Sequence, residues 1–207
     1  NIDETIRKVV SVHTGENLQL TKPADLNVDV IMDEAIDIGF ASKIQLHNDG
    51  GGSVDLEEMF SKIRYFIKGV GCSVILVDPL HTAIKNLSNE NIEEVMDRFI
   101  KICKETKATV ILSTHTRKPD DGSHPHKICE YDVKGSGAIP QACHTNILFS
   151  RDKLAEDEYT KNCTRIRVPK LRRTGQTGEG GYTYFNTITG RLEKGHRPDA
   201  GDNDADF

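Results

Sequence analysis

Two apolar strands separated by one helix-length segment constrain the fold of this chain more than any other feature. The first strand, residues 73–77, runs directly into Asp78, and the second, residues 109–113, runs towards His115. Between them, residues 89–103 carry apolar side chains at helical spacing. The order strand–helix–strand, with continuously apolar strands, predicts a parallel sheet buried on both faces and therefore an α/β fold.

The residues that follow these two strands suit a phosphate site. Open α/β sheets bind ligands at the carboxyl ends of their strands, where Asp78 could hold a magnesium ion that bridges nucleotide phosphates. An acid there is also commonly a helix cap or a loop residue. His115 could donate to a γ-phosphate oxygen, or equally be a satisfied polar residue at the edge of the core. The two together favour the phosphate site.

Composition excludes some classes of protein and leaves others open. The 207 residues suffice for one domain with a core, and 36% apolar with 29% charged residues is typical of a globular protein with a polar surface. No apolar run approaches the roughly 20 residues of a membrane span. Five cysteines without a Cys-x-x-Cys pair indicate reduced thiols in a cytosol-like compartment. The chain opens with Asn1 rather than Met, which we interpret as a fragment or a processed piece.

The other predicted elements complete a single domain at residues 1–194. Helices are expected at residues 2–10, 29–38 and 56–70, loops at 11–28 and 116–133, a short strand at 43–46 before a turn at 48–52, and strands at 145–149, 163–168 and 182–186, the last two forming an antiparallel finish. From Lys194 onward we expect nothing to pack, so residues 195–207 are predicted to form a disordered acidic tail.

Two glycine-rich segments carry basic residues. Residues 134–138 could be a plain turn, or a backbone cradle for a DNA or RNA phosphate with Lys134 as a point charge. Residues 170–178 belong to a basic stretch that could be a solvated face. A rigid arginine there, such as Arg172, could instead stabilise a transferred phosphoryl group on a neighbouring subunit. One of the following aromatic residues could stack on a base.

A zinc site is disfavoured. His124, His126 and Cys129 lie close together in the sequence, but no fourth ligand follows at suitable spacing, and the stretch is polar and loop-like.

These pieces occur in a fixed order along the chain. The series comprises the helix at residues 62–72, Asp78 after the first strand, the run Ser113, Thr114 and His115, the segment 132–138, and Arg172 ahead of Thr174 and Gly175. In this order they resemble the C-terminal helicase domain of T7-like phage primase–helicases and, more distantly, mitochondrial Twinkle and other DnaB-like RecA-fold ring helicases. Each motif alone is weak, but the colinear series is specific and covers nearly the whole chain.

The resemblance implies a fold and a set of site residues. It implies a RecA-like, mostly parallel sheet flanked by helices, with antiparallel C-terminal strands. It assigns roles as follows: Asp78 as the metal-binding Walker B acid; His115 and Arg172 as catalytic sensor and arginine finger; Arg151, Lys170 and Phe185 as nucleotide-binding; and Arg117, Lys118, Lys127, Lys134, Gly135, Ser136 and Gly137 as DNA-binding.

It also implies cofactors and partners. These are Mg²⁺ with ATP or dTTP, single-stranded DNA, a ring hexamer of identical subunits, and a phage DNA polymerase that the acidic tail would contact, in the cytoplasm of a phage-infected bacterium. Two departures from the family pattern matter. Pro140 stands where the family commonly has an arginine, and the phosphate loop G-x-x-x-x-G-K-[ST] is absent from the sequence. An upstream phosphate-loop or primase segment would therefore be a partner, and we expect the isolated chain not to hydrolyse nucleotide.

Two other functions remain open at this stage. The chain could be a non-catalytic, split-gene module that binds DNA or polymerase, as the missing phosphate loop suggests. It could also be the core of a RecA-type recombinase, although such a filament protein has no evident need of the tail or of Arg172. The fold alone would not separate these functions.

Overall fold

The computed structural model describes residues 2–39, 44–47, 55–84, 87–117, 129–134 and 136–198. The chain divides into two compact units. One comprises residues 1–50, 149–166 and 180–207, and the other comprises residues 51–148 and 167–179. Among the described residues, no helix is both long and apolar enough to cross a membrane.

The second unit contains the predicted strand–helix–strand motif. Strand β1 (Val74–Val77) pairs in parallel with β2 (Thr109–Leu112), and Val77 lies opposite Leu112. The connection includes helix α5 (Asn89–Thr106), which Ser88 caps by accepting a hydrogen bond from the Asn91 amide. The buried face of α5 is apolar and consists of Ile92, Val95, Met96, Phe99 and Ile102. The α/β class and the parallel pairing are confirmed.

The prediction that this sheet is buried on both faces is wrong. Side chains alternate along a strand, and Ile75, Val77, Val110 and Leu112 pack against the core that α5 shares. The opposite face carries Val74, Leu76 and Ile111, which are 54%, 62% and 49% exposed. The described part of the chain thus covers one face of the β1–β2 pair. A run of apolar letters cannot reveal which face lacks a covering layer.

Two further helices of the second unit flank this core. Helix α3 (Leu56–Tyr65) starts at Asp55, whose carboxylate accepts the Glu58 amide, and it continues into a wider π-helical turn, Phe66–Val70. Arg98 of α5 holds α3 in place through a two-pronged contact with Glu57 and a position 4.0 Å above the Phe60 ring. The short helices α4 (Leu80–Ile84) and α6 (Ala138–Ala142) complete the unit and also contribute to the core.

The first unit begins with two helices. Helix α1 (Ile2–Thr14) runs four residues beyond the predicted helix, and α2 (Val28–Asp37) follows a 3-10 turn, Pro23–Asp25. Their small core contains Val10, Ile31 and Ala35. The strand predicted at 43–46 is not formed by its described residues, 44–46, and the turn predicted at 48–52 lies outside the described residues.

A four-stranded sheet has the order β3–β4–β5–β6. Its strands are β3 (Thr145–Arg151), β4 (Cys163–Leu171), β5 (Gly178–Phe185) and β6 (Leu192–Gly195), and helix α7 (Glu158–Asn162) precedes β4. Strand β6 pairs antiparallel with β5, so that Gly195 lies opposite Tyr182. The ring of His196 stacks on Tyr159 at 4.4 Å. The expectation that nothing packs from Lys194 onward is therefore wrong for residues 194–196; residues 199–207 lie outside the described residues.

Candidate functional site

The ends of β1 and β2 lie side by side, as the sequence predicts. The Ser113 amide donates to the Val77 carbonyl at 2.9 Å, which continues the parallel pairing to the residue before Asp78. The Leu80 amide then donates to the Ser113 carbonyl at 2.8 Å, which ties the start of α4 to the end of β2. Asp78 itself is exposed. Since side chains alternate along a strand, Asp78 follows Val74 and Leu76 on the open side of the pair.

A second histidine lies beside His115 that the sequence analysis did not single out. The rings of His81 and His115 are 4.8 Å apart between centroids and are tilted by 53°. Leu80 is fully buried and fixes the backbone just before His81, whereas His115 is exposed. A histidine three residues after the strand-end acid was the available signal, since that spacing returns to the same edge when a helical turn starts there.

The carboxylate at this site suits a magnesium ion that is shared with a nucleotide. Among the described residues, no group of three or more His, Cys, Asp or Glu side chains could hold a metal ion by itself. Mg²⁺ keeps several waters and is usually held by one or two carboxylates together with substrate phosphates. A single exposed carboxylate such as Asp78 fits that kind of site.

The backbone beyond His115 forms a short two-stranded ribbon with the segment before α6. Thr116 and Val133 form an antiparallel bridge, the Arg117 amide donates to the Asp132 carbonyl at 2.6 Å, and the Lys134 amide donates to the His115 carbonyl at 2.8 Å. We call residues 115–117 and 132–134 the basic ribbon. The side chains of His115, Arg117 and Lys134 are exposed, whereas Thr116 and Val133 are half-buried. The predicted DNA-binding residues Arg117 and Lys134 thus share one ribbon with His115.

The remaining predicted DNA-binding residues have different environments. Ser136 is buried, and its hydroxyl accepts the Ala138 amide at 3.2 Å, so it caps the start of α6. Gly137 is exposed. Gly135, Lys118 and Lys127 lie outside the described residues, as do His124 and His126 of the disfavoured zinc pattern. Pro140, where the family pattern departs, is buried within α6.

Lys170 and Arg172 contact the carboxyl end of α6. The Lys170 ammonium donates to the carbonyls of Pro140 and Gln141 at 2.7 and 2.6 Å, and the Arg172 guanidinium donates to Gln141 at 2.7 Å. Cationic side chains suit the negative end of a helix. Burial, and then the nearby Arg172, lower the pKa of Lys170. Burial raises the pKa of Cys143, which follows the helix. The predicted arginine finger is therefore held against its own subunit here.

The other two predicted nucleotide-binding residues belong to the first unit. The Arg151 guanidinium donates to the Lys161 carbonyl and, at 2.6 Å, to the Asn162 side-chain oxygen, so it is held by the end of α7. Phe185 is half-buried at the end of β5, opposite Leu192. Its neighbour Tyr184 lies in a near-parallel stack with Tyr159, with 5.2 Å between ring centroids. Phe185 remains the candidate for base stacking.

Comparisons with known proteins agree with this geometry. The family model described as "ATPase: KaiC" matches residues 24–184. The DNA helicase/primase of enterobacteria phage T3 is 24% identical over 202 residues, an alignment that covers 93% of this chain and 35% of that protein. The solved ATPase domain of a helicase superposes with a TM-score of 0.73 at 21% identity, over 94% of this chain and 71% of that one. The chain thus spans about a third of the length of the curated relative and shares the fold of the solved domain.

Proposed function

Because the chain belongs to the KaiC family of ATPases, we propose that it is the C-terminal portion of a DnaB-like replicative ring helicase that couples nucleotide hydrolysis to movement along single-stranded DNA. The observation that carries the proposal is the continuity of one structural unit. Asp78 and His115 follow neighbouring parallel strands, and the backbone of His115 is bonded to that of Lys134 in the basic ribbon. A phosphate site and a basic surface are thereby joined through one hydrogen-bonded backbone.

The chemistry we propose is in-line attack of water on the γ-phosphate of ATP or dTTP. Asp78 would hold the Mg²⁺ ion, and a bound Mg²⁺ would neutralise charge on the phosphate oxygens. His115 would donate a hydrogen bond to a γ-phosphate oxygen, so its environment changes when that phosphate leaves. Arg151 and Phe185 would contact the nucleotide base. The general base and the phosphate-loop lysine are not among the residues we can assign.

The open face of the β1–β2 pair supports a separate phosphate-loop segment. Parallel sheets are stable with both faces covered, yet Val74, Leu76 and Ile111 are exposed here. Asp78 continues the same side of β1. A segment that carries the phosphate loop and packs on this face would therefore place its loop beside the carboxylate. In a longer protein this segment would belong to the same chain; in a split protein it would be a partner.

Arg172 would act in trans within a ring hexamer. Its present contact with the Gln141 carbonyl is a charge-assisted hydrogen bond at an exposed side chain, which a phosphate of the neighbouring subunit can replace. Lys170, which shares the same carbonyl, would assist at the nucleotide. The phage T3 relative is called a helicase/primase, which supports DNA as the partner and the cytoplasm of a phage-infected bacterium as the place of action.

One observation favours a non-catalytic binding module instead. Both Lys170 and Arg172 already bond the end of α6, and the sequence holds no phosphate loop, so the chain alone could serve as a DNA-binding piece without turnover. Its basic ribbon would then act independently of hydrolysis.

Hydrolysis stimulated by single-stranded DNA separates the two functions. The 207-residue chain would be assayed alone, and then mixed with or fused to a segment that carries a phosphate loop. We expect activity only in the combination, and a loss of about 10³-fold in Arg172→Ala, since an arginine finger contributes that order of magnitude. Arg173→Ala, at the exposed neighbouring arginine, is the matched control and should retain activity. No activity in any combination would leave the binding module.

A further inference from the structure

A tyrosine with a largely exposed ring adjoins the basic ribbon and has no assigned role. Tyr131 is 75% exposed and lies in the 3-10 turn Glu130–Asp132, which leads into the ribbon strand at residues 132–134. The carbonyl of the next residue, Asp132, accepts the Arg117 amide at 2.6 Å, and Lys134 lies three residues after Tyr131. Three extended residues span about 10 Å at most, so the aromatic ring and both cationic residues occupy one small area.

The turn that carries Tyr131 is held at both ends. The Cys129 amide donates to the Asp132 carboxylate at 2.8 Å, and the Asp132 amide donates back to the Cys129 carbonyl at 3.1 Å. The bridge between Thr116 and Val133 fixes the strand that follows. The backbone under Tyr131 is therefore ordered before any ligand arrives, which reduces the entropy lost on binding. The half-buried Asp132 carboxylate is engaged within the turn, so it is directed to the Cys129 amide rather than to an approaching phosphate.

We propose that Tyr131 stacks on a base of the single-stranded DNA whose neighbouring phosphates bind Arg117 and Lys134. This inference rests on the proposed function. Proteins that bind single strands without sequence preference combine a basic track with aromatic rings, because every base has a face that can stack. Tyr65 and Phe149 are exposed to a similar extent, 64% and 66%, but neither belongs to the ribbon. The ligand class is a single-stranded oligonucleotide, held by base stacking as well as by charge.

The test separates stacking from charge by means of fluorescence anisotropy. A labelled oligothymidylate would be titrated with the wild-type chain, Tyr131→Ala and Tyr131→Phe over a range of salt concentrations. We expect Tyr131→Ala to bind about tenfold more weakly at every salt concentration, since stacking contributes that order of affinity per base. Tyr131→Phe keeps the ring and should bind within about twofold of wild type. Lys134→Ala is the contrasting variant, and it should reduce the slope of log K against log salt by about 0.7.

An oligonucleotide of abasic sugar-phosphates completes the design. Without bases there is nothing to stack on, so the wild-type chain and Tyr131→Ala should bind it equally. Equal binding of oligothymidylate by wild type and Tyr131→Ala would overturn the stacking role while leaving the proposed function intact. A loss for Tyr131→Ala on the abasic strand as well would also overturn it, because the ring would then act through the fold. Failure of the wild-type chain to bind any single strand would overturn both.

Discussion

His81 and His115 place two imidazole rings together beside the strand-end carboxylate. The His81 ring belongs to a helix whose first residue, Leu80, is fully buried and bonded to the end of β2, so its position is well defined. The exposed His115 ring is restrained by that contact. A hydrogen-bond donor to a phosphate acts well only when its direction is fixed beforehand. His81 is therefore a positioning residue for His115 rather than a group that touches the nucleotide.

We expect His81→Ala to lower kcat about tenfold in the chain joined to a phosphate-loop segment, with KM changed less than about twofold. The physical reason is that His115 loses its ring contact while the nucleotide contacts remain. His81→Phe keeps an aromatic ring of similar size and should recover most of kcat. Steady-state kinetics and thermal unfolding measure these effects. Equal losses in the alanine and phenylalanine variants would show that the imidazole acts chemically, and a common fall in Tm would show a structural role.

At the residue scale, the sequence predicts side chains that follow directly from a strand end. Asp78 and His115 are of this kind, because parallel pairing alone brings their strand ends together. The positions of Lys170 and Arg172 could not be predicted in the same way. Their partners are backbone carbonyls at the end of α6, about 30 residues earlier in the chain, and only the folded hairpin brings them there.

At the element scale, every strand and long helix of the described second unit occurs where periodicity places it. The errors concern which faces are covered and where pairing stops. Strand β6 was missed because Leu192–Gly195 carries no apolar alternation; its order comes from pairing with β5, where Gly195 lies against the backbone of Thr183 and Tyr184. A short edge strand of this kind is specified by its neighbour rather than by its own residues.

The open face of β1–β2 gives a prediction at the same scale. Leu76→Thr and Ile111→Thr remove exposed apolar side chains but keep β-branched or strand-compatible residues, so the isolated chain should change by less than about 0.5 kcal/mol in urea unfolding. The same substitutions should weaken binding of a separate phosphate-loop segment by at least about tenfold, as measured by calorimetry, because they remove apolar area from the contact.

The matched control for this prediction is Ile75→Thr, on the opposite face of the same strand. Ile75 packs against the core, so its replacement should cost about 1–2 kcal/mol of stability. Its effect on the segment should be no larger than the loss of folded chain explains. Unchanged affinity in the Leu76 and Ile111 variants would mean that the segment does not pack on this face.

At the scale of the whole molecule, charge is distributed unevenly along the chain. The formal net charge is −5, yet the basic ribbon and the 161–173 stretch are cationic, and the last nine residues contain four acidic side chains less one, three aspartates at 202, 204 and 206 joined by Asp199, and no base. Removal of residues 199–207 changes the net charge from −5 to −1, since four negative charges leave. A net acidic chain is therefore compatible with DNA binding, because contacts with phosphates depend on charges within a Debye length of about 8–10 Å.

The tail prediction follows from this separation of charge. Deletion of residues 199–207 should leave DNA-stimulated hydrolysis by the joined protein unchanged but weaken its binding to the DNA polymerase of a related phage. Two full-length variants identify the cause: replacement of the four tail aspartates by asparagine tests charge, and Phe207→Ala tests the terminal ring. If charge dominates, the asparagine variant should lose the salt dependence of binding seen by surface plasmon resonance, whereas Phe207→Ala should keep it. If the ring anchors the tail in a pocket, Phe207→Ala should speed dissociation at every salt concentration. Polymerase binding that survives deletion of the whole tail would exclude this segment as the contact.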